Sequence, residues 1–411
     1  LFIPDEDLDV EQGMQMCATR SSSYNDALEA LVNESMRLTG NLEEEEIPEN
    51  GMMSSNSTWY PSGRITAYDD IVDGQIPLEG VKVRARRWFT THTAVTDANG
   101  EFVMSGGFKN KANYSIVWDG DMWDIRDGYI GQAYYNGPKK KGAWNLEIAN
   151  DNYKSVRYAA IHRAVYRMKV GETYGISRIA SDENTIISYI HDYNEDAYGD
   201  YNHELGLGIL QDIRIFGKDS DTNFRKIHEV IATTFHELGH ASHFTNRKSN
   251  YKDSDRNLLE SWASFVGFYL VLMEYEDLGY YNGPFDAIIY EPYPYTMSVY
   301  YVPDNKINRQ LKQITNNEDY LPIFIDMYDS DNQYITNVLY NQYLAANRDK
   351  YPYDVIRIIP ADIIEDFVFN SKTILSTKNQ LINFYNSIDD YDKNRYNLTL
   401  ETINSLYSLY Q

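Results

Sequence analysis

Cysteine is nearly absent: Cys17 is the single one in 411 residues. No disulfide can close within the chain, and cysteine usage neither requires nor excludes an oxidising compartment. No run approaches the roughly 18 apolar residues of a membrane-crossing helix, so no transmembrane segment is expected. A signal-peptide pattern is missing too. The chain opens Leu1-Phe2-Ile3-Pro4 without Met, and the expectation drawn from that start is an exported protein (extracellular, periplasmic or on an outer surface) whose leader is not in the sequence. Positive charge is scarce, with 37 Lys and Arg against 61 Asp and Glu and a net charge of -24. A field of that sign repels phosphate backbones and anionic membrane surfaces, so no nucleic-acid partner is expected. The two local exceptions, Arg84-Ala85-Arg86-Arg87 and Lys139-Lys140-Lys141, read as solvated turns or strand faces. Disorder is excluded, because 43% hydrophobic and 14% aromatic residues supply enough apolar surface for a large core spread over two or three domains.

What is present centres on His236-Glu237-Leu238-Gly239-His240. From 223 to 244 the apolar residues, among them Ile227, Val230, Ile231, Phe235 and Leu238, recur at three- and four-residue steps, which predicts an amphipathic helix. Asp221, Thr222 or Asn223 can cap its start, and Asn246 sits where it can stop. Helix positions four apart differ by about 40° around the axis and one turn along it. His236 and His240 can therefore aim both imidazoles at one point, a metal clamp made by local geometry. Glu237 cannot share that direction, but it can lean over a water on the metal and take its proton. A catalytic zinc needs a third protein ligand and an open position. His243 and Asn246 stand where a metzincin pattern has Gly and His, so that pattern fails. Glu260 lies in the apolar run Leu258-Leu259-Glu260-Ser261-Trp262-Ala263-Ser264-Phe265, and a carboxylate inside an apolar helix needs a partner such as a zinc ion.

His-Glu-Leu-Gly-His followed by Glu260 resembles the gluzincin metallopeptidases, the broad group of thermolysin and the zinc aminopeptidases. Glu260-Ser261-Trp262-Ala263-Ser264 is similar to the Glu-x-aromatic-Ala-Ser run of the aminopeptidases. The resemblance extends from the metal helix to the end of the Glu260 helix. It implies Zn2+ held by His236, His240 and Glu260, Glu237 as general base, and a peptide or protein substrate. The sequence departs from the group in two places. It has no Gly-x-Met-Glu-Asn run for a substrate amino terminus, and Ser264 stands where thermolysin-like enzymes have Asp. The zinc chemistry transfers and the cleavage specificity does not. The alternative function is a metal-binding but catalytically inactive surface or substrate-binding protein, and the bland structural reading is a pair of histidines on an ordinary helix.

Around this centre the chain divides into five parts. Residues 1–56 read as an arm with a short helix, capped by Asp26 and Glu29 and ending at Gly40, then the acidic linker Glu43-Glu44-Glu45-Glu46. Residues 57–118 alternate apolar and polar side chains at 81–86, and Asp97-Ala98-Asn99-Gly100 reads as a hairpin turn. Gly63-Arg64-Ile65, Pro77-Leu78-Glu79-Gly80-Val81-Lys82-Val83 and Thr96-Asp97-Ala98-Asn99-Gly100-Glu101-Phe102 resemble the carboxypeptidase regulatory-like β-sandwich, which implies an accessory module acting as tether or spacer. Residues 119–150 read as an aromatic-rich connection, in which Trp118, Trp123 and Trp144 line a groove or, more simply, pack.

Residues 151–270 form the expected catalytic subdomain. It has a helix at 158–166, with His162 at the surface or between domains, and a strand at 209–216. The resemblance implies that this strand is the sheet edge that holds an extended substrate. Asp219-Ser220-Asp221, Asp253-Ser254-Asp255 and Asp329-Ser330-Asp331 read as helix-cap loops, since they lack the long carboxylate loop of a calcium site. His243 reads as an ordinary polar helix position. Residues 271–411 read as a helical subdomain with apolar faces at 311–314, 335–344, 363–368 and 381–385. By the resemblance it walls the cleft and supplies an oxyanion-stabilising Tyr or His, which the many tyrosines leave unassigned. The expected class is multidomain α+β: a small antiparallel β-sandwich, then a mostly helical zincin-like metallopeptidase domain with a small mixed sheet. No oligomeric state is assigned.

Overall fold

The computed structural model describes residues 57–179, 184–192, 198–202, 212–219, 221–279, 321–328 and 356–408. The expectations for 1–56, 311–314, 335–344 and Asp329-Ser330-Asp331 fall outside these residues. The chain divides into two compact units, Leu1–Ser57 and Thr58–Gln411, and the elements below belong to the second. Its class is mixed α+β.

Strand β1 (Ser62–Asp69) organises the first sheet. It pairs antiparallel with β2 (Gly74–Pro77) through its second half and with β5 (Glu101–Val103) through its first. On its other side it pairs in parallel with β10 (Trp144–Ile148). The second sheet is antiparallel, in the order β4-β3-β6-β9, from β3 (Lys82–Arg87), β4 (Thr90–Val95), β6 (Ala112–Val117) and β9 (Tyr134–Lys140). Burial alternates along the first four residues of β3, as its sequence predicts. Tyr114 on β6 joins the two sheets, with ring centroids 5.3 Å from Trp144 and 6.3 Å from Phe102.

These two sheets differ from the expected small antiparallel module in three ways. One pair, β1–β10, is parallel, and Gly63 makes its close approach feasible: a Cβ there would lie 1.9 Å from the Trp144 carbonyl oxygen. The sheets also continue through β9 and β10, so 119–150 is more than a connection, and Trp118, Trp123 and Trp144 are buried packing residues. The Asp97–Gly100 turn closes as its residues demand, with Gly100 N–H on the Asp97 carbonyl and φ +74° at Gly100. It is not a hairpin, because it carries the chain from β4 in one sheet to β5 in the other.

A third, mixed sheet runs β12-β13-β11-β7-β8, from β7 (Trp123–Asp127), β8 (Gly131–Gln132), β11 (Thr185–Ile190), β12 (Gly199–Tyr201) and β13 (Ile213–Phe216). The central strands β7, β11 and β13 are parallel, and the flanking ones antiparallel. The strand expected at 209–216 is β13. It is interior, and among the described residues β12 stands at that edge of the sheet.

Helix α1 (Tyr153–Lys169) is buried along most of its length. It is followed by α2 (Ile227–Asn246), α3 (Lys248–Asp253) and α4 (Arg256–Asp277), and later by α5 (Ile323–Tyr328), α6 (Ala361–Phe369), α7 (Ile374–Ser387), α8 (Asp390–Arg395) and α9 (Leu400–Ser408). Among the described residues no helix is long and apolar enough to cross a membrane. Two glycines let α2 and α4 cross closely. A Cβ on Gly239 would lie 3.0 Å from the Val266 Cβ, and one on Gly267 would lie 3.0 Å from the Ala232 carbonyl oxygen. Asp255 caps α4 by accepting the Leu258 N–H at 2.8 Å, as expected for that loop.

The start of α2 is not capped by Asp221, Thr222 or Asn223. Asp219 draws those residues into a side-chain turn by accepting the N–H groups of Asp221 and Asn223. The cap comes from the sandwich instead: the Asp70 carboxylate, in the loop after β1, accepts from Ile227 N (2.8 Å) and His228 N (3.2 Å) and contacts His228 Nδ1 at 3.0 Å. Burial pushes the Asp70 carboxyl up, but the His228 contact and the two N–H donors outweigh it and hold it below its ordinary value. Its neighbour Asp69, fully buried, accepts from Arg163 of α1 (2.6 Å) and from the Tyr275 hydroxyl of α4 (3.0 Å). Arg163 also binds Glu274 of α4 at 2.9 Å. Of the two places expected for His162, the surface and a position between segments, it takes the second. It is buried between sandwich and α1, with Nε2 2.8 Å from the Glu79 carbonyl oxygen, and burial pushes it down to about 4.

Asp69→Ala leaves the buried Arg163 cation short of one partner, and a loss of about 3–5 kcal/mol is expected in urea unfolding. Asp70→Asn removes the anionic cap and is expected to cost about 1–2 kcal/mol at neutral pH. Because the native Asp70 carboxyl is depressed, its contribution is complete above the unfolded value of about 3.9 and disappears as pH falls through the native value, so the two urea midpoints should converge in acid.

Candidate metal centre

Two turns of α2 and one of α4 build the site. His236 Nε2 lies 3.3 Å from Glu260 Oε2, and His240 Nε2 lies 3.6 Å from the same oxygen. One ligand atom from each of the three residues falls within 4.8 Å of the others. Donors about 2.0–2.2 Å from a tetrahedral ion stand about 3.3–3.6 Å apart, so the donor types and the two histidine–carboxylate separations are compatible with zinc. The four-residue step on α2 aligns the imidazoles, and the glycine crossing with α4 brings Glu260 up to them. Side-chain exposures of 14% for His236, 7% for His240 and 27% for Glu260 make Glu260 the most accessible of the three. Burial raises the Glu260 carboxyl, but its contacts with both histidines win and hold it well below the usual carboxylate range. Arg256, one turn earlier, approaches the other oxygen at 3.9 Å.

The far nitrogens of both rings face hydroxyls. Ser264 Oγ is 3.3 Å from His236 Nδ1, and the Tyr251 hydroxyl is 3.4 Å from His240 Nδ1. Such contacts orient a ligand ring and turn its other nitrogen's lone pair towards the ion. Ser264, one helical turn after Glu260, stands behind His236 with a neutral hydroxyl. Tyr251 lies on α3, and nothing in the sequence distinguishes it from the other tyrosines. Burial and the charges of Glu260 and Glu237 push its hydroxyl pKa upward.

Glu237 is buried and turned towards the edge strand: a Cβ on Gly199 of β12 would meet its Oε1 at 2.8 Å. Any side chain at position 199 would displace either the strand or the carboxylate. On the same strand, the Tyr201 ring lies nearly parallel to that of His240, with centroids 6.4 Å apart. Sequence reasoning placed neither residue near the metal helix. His243 lies outside the three-residue group but is no ordinary polar position. It is fully buried, stacked on Phe369 at 4.7 Å and edge-on to Tyr251 at 5.2 Å. Burial first, then the charges of His240 and Arg247, push it down to about 3, which keeps it neutral.

Comparison with protein-family models, curated proteins and solved structures finds no match to this chain.

If the two hydroxyls orient the rings, Ser264→Ala and Tyr251→Phe should each weaken zinc binding by about 10–100-fold, measured by competition with a chromophoric chelator. His236→Ala should abolish stoichiometric binding.

Proposed function

We propose that this chain is a zinc-dependent peptidase of the gluzincin kind. The observation that carries the reading is the convergence of His236, His240 and Glu260 beside a buried carboxylate, Glu237, that belongs to the same helix but not to the ligand set. A bound zinc ion supplies a Lewis acid that acidifies water and polarises a scissile carbonyl. Glu237 would accept a proton from the attacking water on its carboxylate as the C–O bond forms, and would return that proton to the amide nitrogen as the C–N bond breaks, so that the amine leaves neutral and the new carboxyl group keeps the water's oxygen. Ser264 and Tyr251 hold the imidazoles in register throughout.

Strand β12 is placed to bind substrate. One side of Gly199–Tyr201 pairs with β13, and in this reading an extended peptide runs beside Gly199, past Glu237. This function, first expected of the strand at 209–216, moves to the true edge. In the proposed arrangement the third sheet and α1–α4 form a zincin-like body. The sandwich is of the carboxypeptidase regulatory-like kind and acts as a rigid support, because Asp69 and Asp70 brace the helices that carry the ligands.

The deciding experiment combines elemental analysis with cleavage of a mixed peptide library, with and without chelator. Glu237→Gln is expected to keep stoichiometric zinc while losing about 10²–10⁴-fold in kcat. Full turnover in that variant refutes the role of Glu237. Zinc without cleavage in the unaltered chain favours the inactive, metal-binding alternative.

A further inference from the structure

Arg157, Arg163 and Arg225 are the buried arginines among the described residues. Arg163 binds the carboxylates of Asp69 and Glu274. The other two, each 4% exposed, ion-pair with no carboxylate among the described residues and bond to neutral carbonyls instead. Arg157, on the second turn of α1, donates from Nη1 to the Tyr153 carbonyl (3.4 Å) and from Nη2 to that of Arg225 (2.5 Å). Arg225 donates from Nε to the Phe216 carbonyl at 3.1 Å. The carboxylates whose charge reaches Arg157 are Asp70 and Glu229. Asp70 is engaged by α2 and His228, and Glu229 by the Lys226 N–H. Burial outweighs what they and the nearby tyrosines supply, and pushes the Arg157 guanidinium below its ordinary value.

A phenol stands with them. Tyr189, the next-to-last residue of β11, is fully buried, and its hydroxyl lies against Gly217, just past β13: a Cβ on Gly217 would fall 2.2 Å from that oxygen. The Gly217 carbonyl accepts the Arg225 N–H at 2.9 Å. Burial pushes the Tyr189 hydroxyl up to about 12, against the pull of Arg157 and then of Arg225, so both guanidinium charges act at this oxygen. Asp127, which pushes the same way as burial, is held by Lys154 and His191. Arg157 Nε, Arg225 Nη2 and the Tyr189 hydroxyl are all buried without a hydrogen-bond partner. The Arg225 guanidinium lies 3.6 Å from the centre of the Tyr198 ring, which is 56% exposed and forms its outer cover.

We propose that Arg157, Arg225 and Tyr189 form a site for a small inorganic oxyanion of the sulfate or phosphate kind. The unpartnered groups can all donate, and two of them carry a full positive charge. Water can accept their hydrogen bonds but leaves both charges uncompensated in a buried setting, which is costly. A cation is excluded, since a guanidinium offers no lone pair. An oxyanion supplies the missing charge, and separate oxygens for donors that come from α1, from β11 and from the segment before α2. The place is one that sheets of this kind use for ligands, the carboxyl ends of the adjacent parallel strands β11 and β13. Once bound, the anion ties α1 to the segment that leads into the metal helix.

The test is isothermal titration of the full chain with sodium sulfate, replacing chloride at constant ionic strength. One sulfate per chain is expected, in a saturable isotherm that chelator treatment leaves unchanged, which separates it from the metal centre. Arg157→Gln and Arg225→Met should each weaken binding about tenfold or more, and Tyr189→Phe, which keeps the ring, several-fold. Thermal midpoints give a second reading. The unaltered chain should gain a rise that levels off as the site fills, while Arg225→Met keeps only the unsaturable rise that sulfate gives proteins in general. The proposal is overturned if no saturable binding is seen, if chelator abolishes it, or if Arg225→Met and Tyr189→Phe bind sulfate as the unaltered chain does. Should Arg225→Met not fold, the Tyr189→Phe titration decides alone.

Discussion

Glu260 is a partly buried carboxylate carried in the apolar run Leu258–Phe265 into the crossing of α2 and α4, and the rest of the site follows from how that burial is compensated. An unpartnered buried carboxylate would stay protonated or unfold the crossing. Two imidazoles on the facing helix compensate it, and they reach it because Gly239 and Gly267 remove the side chains that would hold the helices apart. A methyl group at either glycine would push α2 and α4 apart by tenths of an ångström, and donor separations of 3.3 and 3.6 Å have little room for that. The packing of two helices and the placing of three ligand atoms are here one constraint.

That constraint is braced from outside. Adjacent residues at the end of one strand perform two distinct tasks: Asp69 faces inward to Arg163 and Tyr275, and Asp70 faces the open N–H groups of α2. Through Arg163, Asp69 is coupled to Glu274 on α4. Buried ion pairs add little net stability over apolar packing of the same shape, but a broken one is costly, so they are better at choosing one arrangement than at stabilising it. The choice made here is the relative position of the two helices that carry the ligands. Two carboxylates at the end of β1, outside the His236, His240 and Glu260 group, can therefore govern that group's geometry.

The sequence was most informative where the interaction is local. The His236–His240 clamp follows from a four-residue step, and Glu260 stood out as a lone charge in an apolar run. The capping of α4 by Asp255 was equally plain. Contacts made by distant segments were hidden. Local signals offered Asp221, Thr222 or Asn223 as the cap of α2, but a carboxylate more than 150 residues earlier in the chain takes that place. The Asp97–Gly100 turn was recognisable from its residues, whereas the sheet to which each flanking strand belongs is decided by the core on which it packs. Tyr251, Tyr201 and Gly199 reach the site only through tertiary packing, and no spacing relates them to His236.

Ser264 and Tyr251 also bear on the charge balance of the site. Under the zinc reading, an ion of charge +2 faces one ligand carboxylate and, close by, Glu237. A carboxylate behind either imidazole would orient the ring equally well, but would place a further negative charge near two that are already there and dilute the field that acidifies water. A hydroxyl orients the ring without that charge. The cost is a weaker hold, since hydrogen bonds to neutral acceptors are about half as strong as charge-assisted ones. Under that same reading, a hydroxyl behind each ring trades some affinity for the ion against a more electrophilic centre, and affinity can be recovered from the rigidity that the glycine crossing and the Asp69–Asp70 contacts supply.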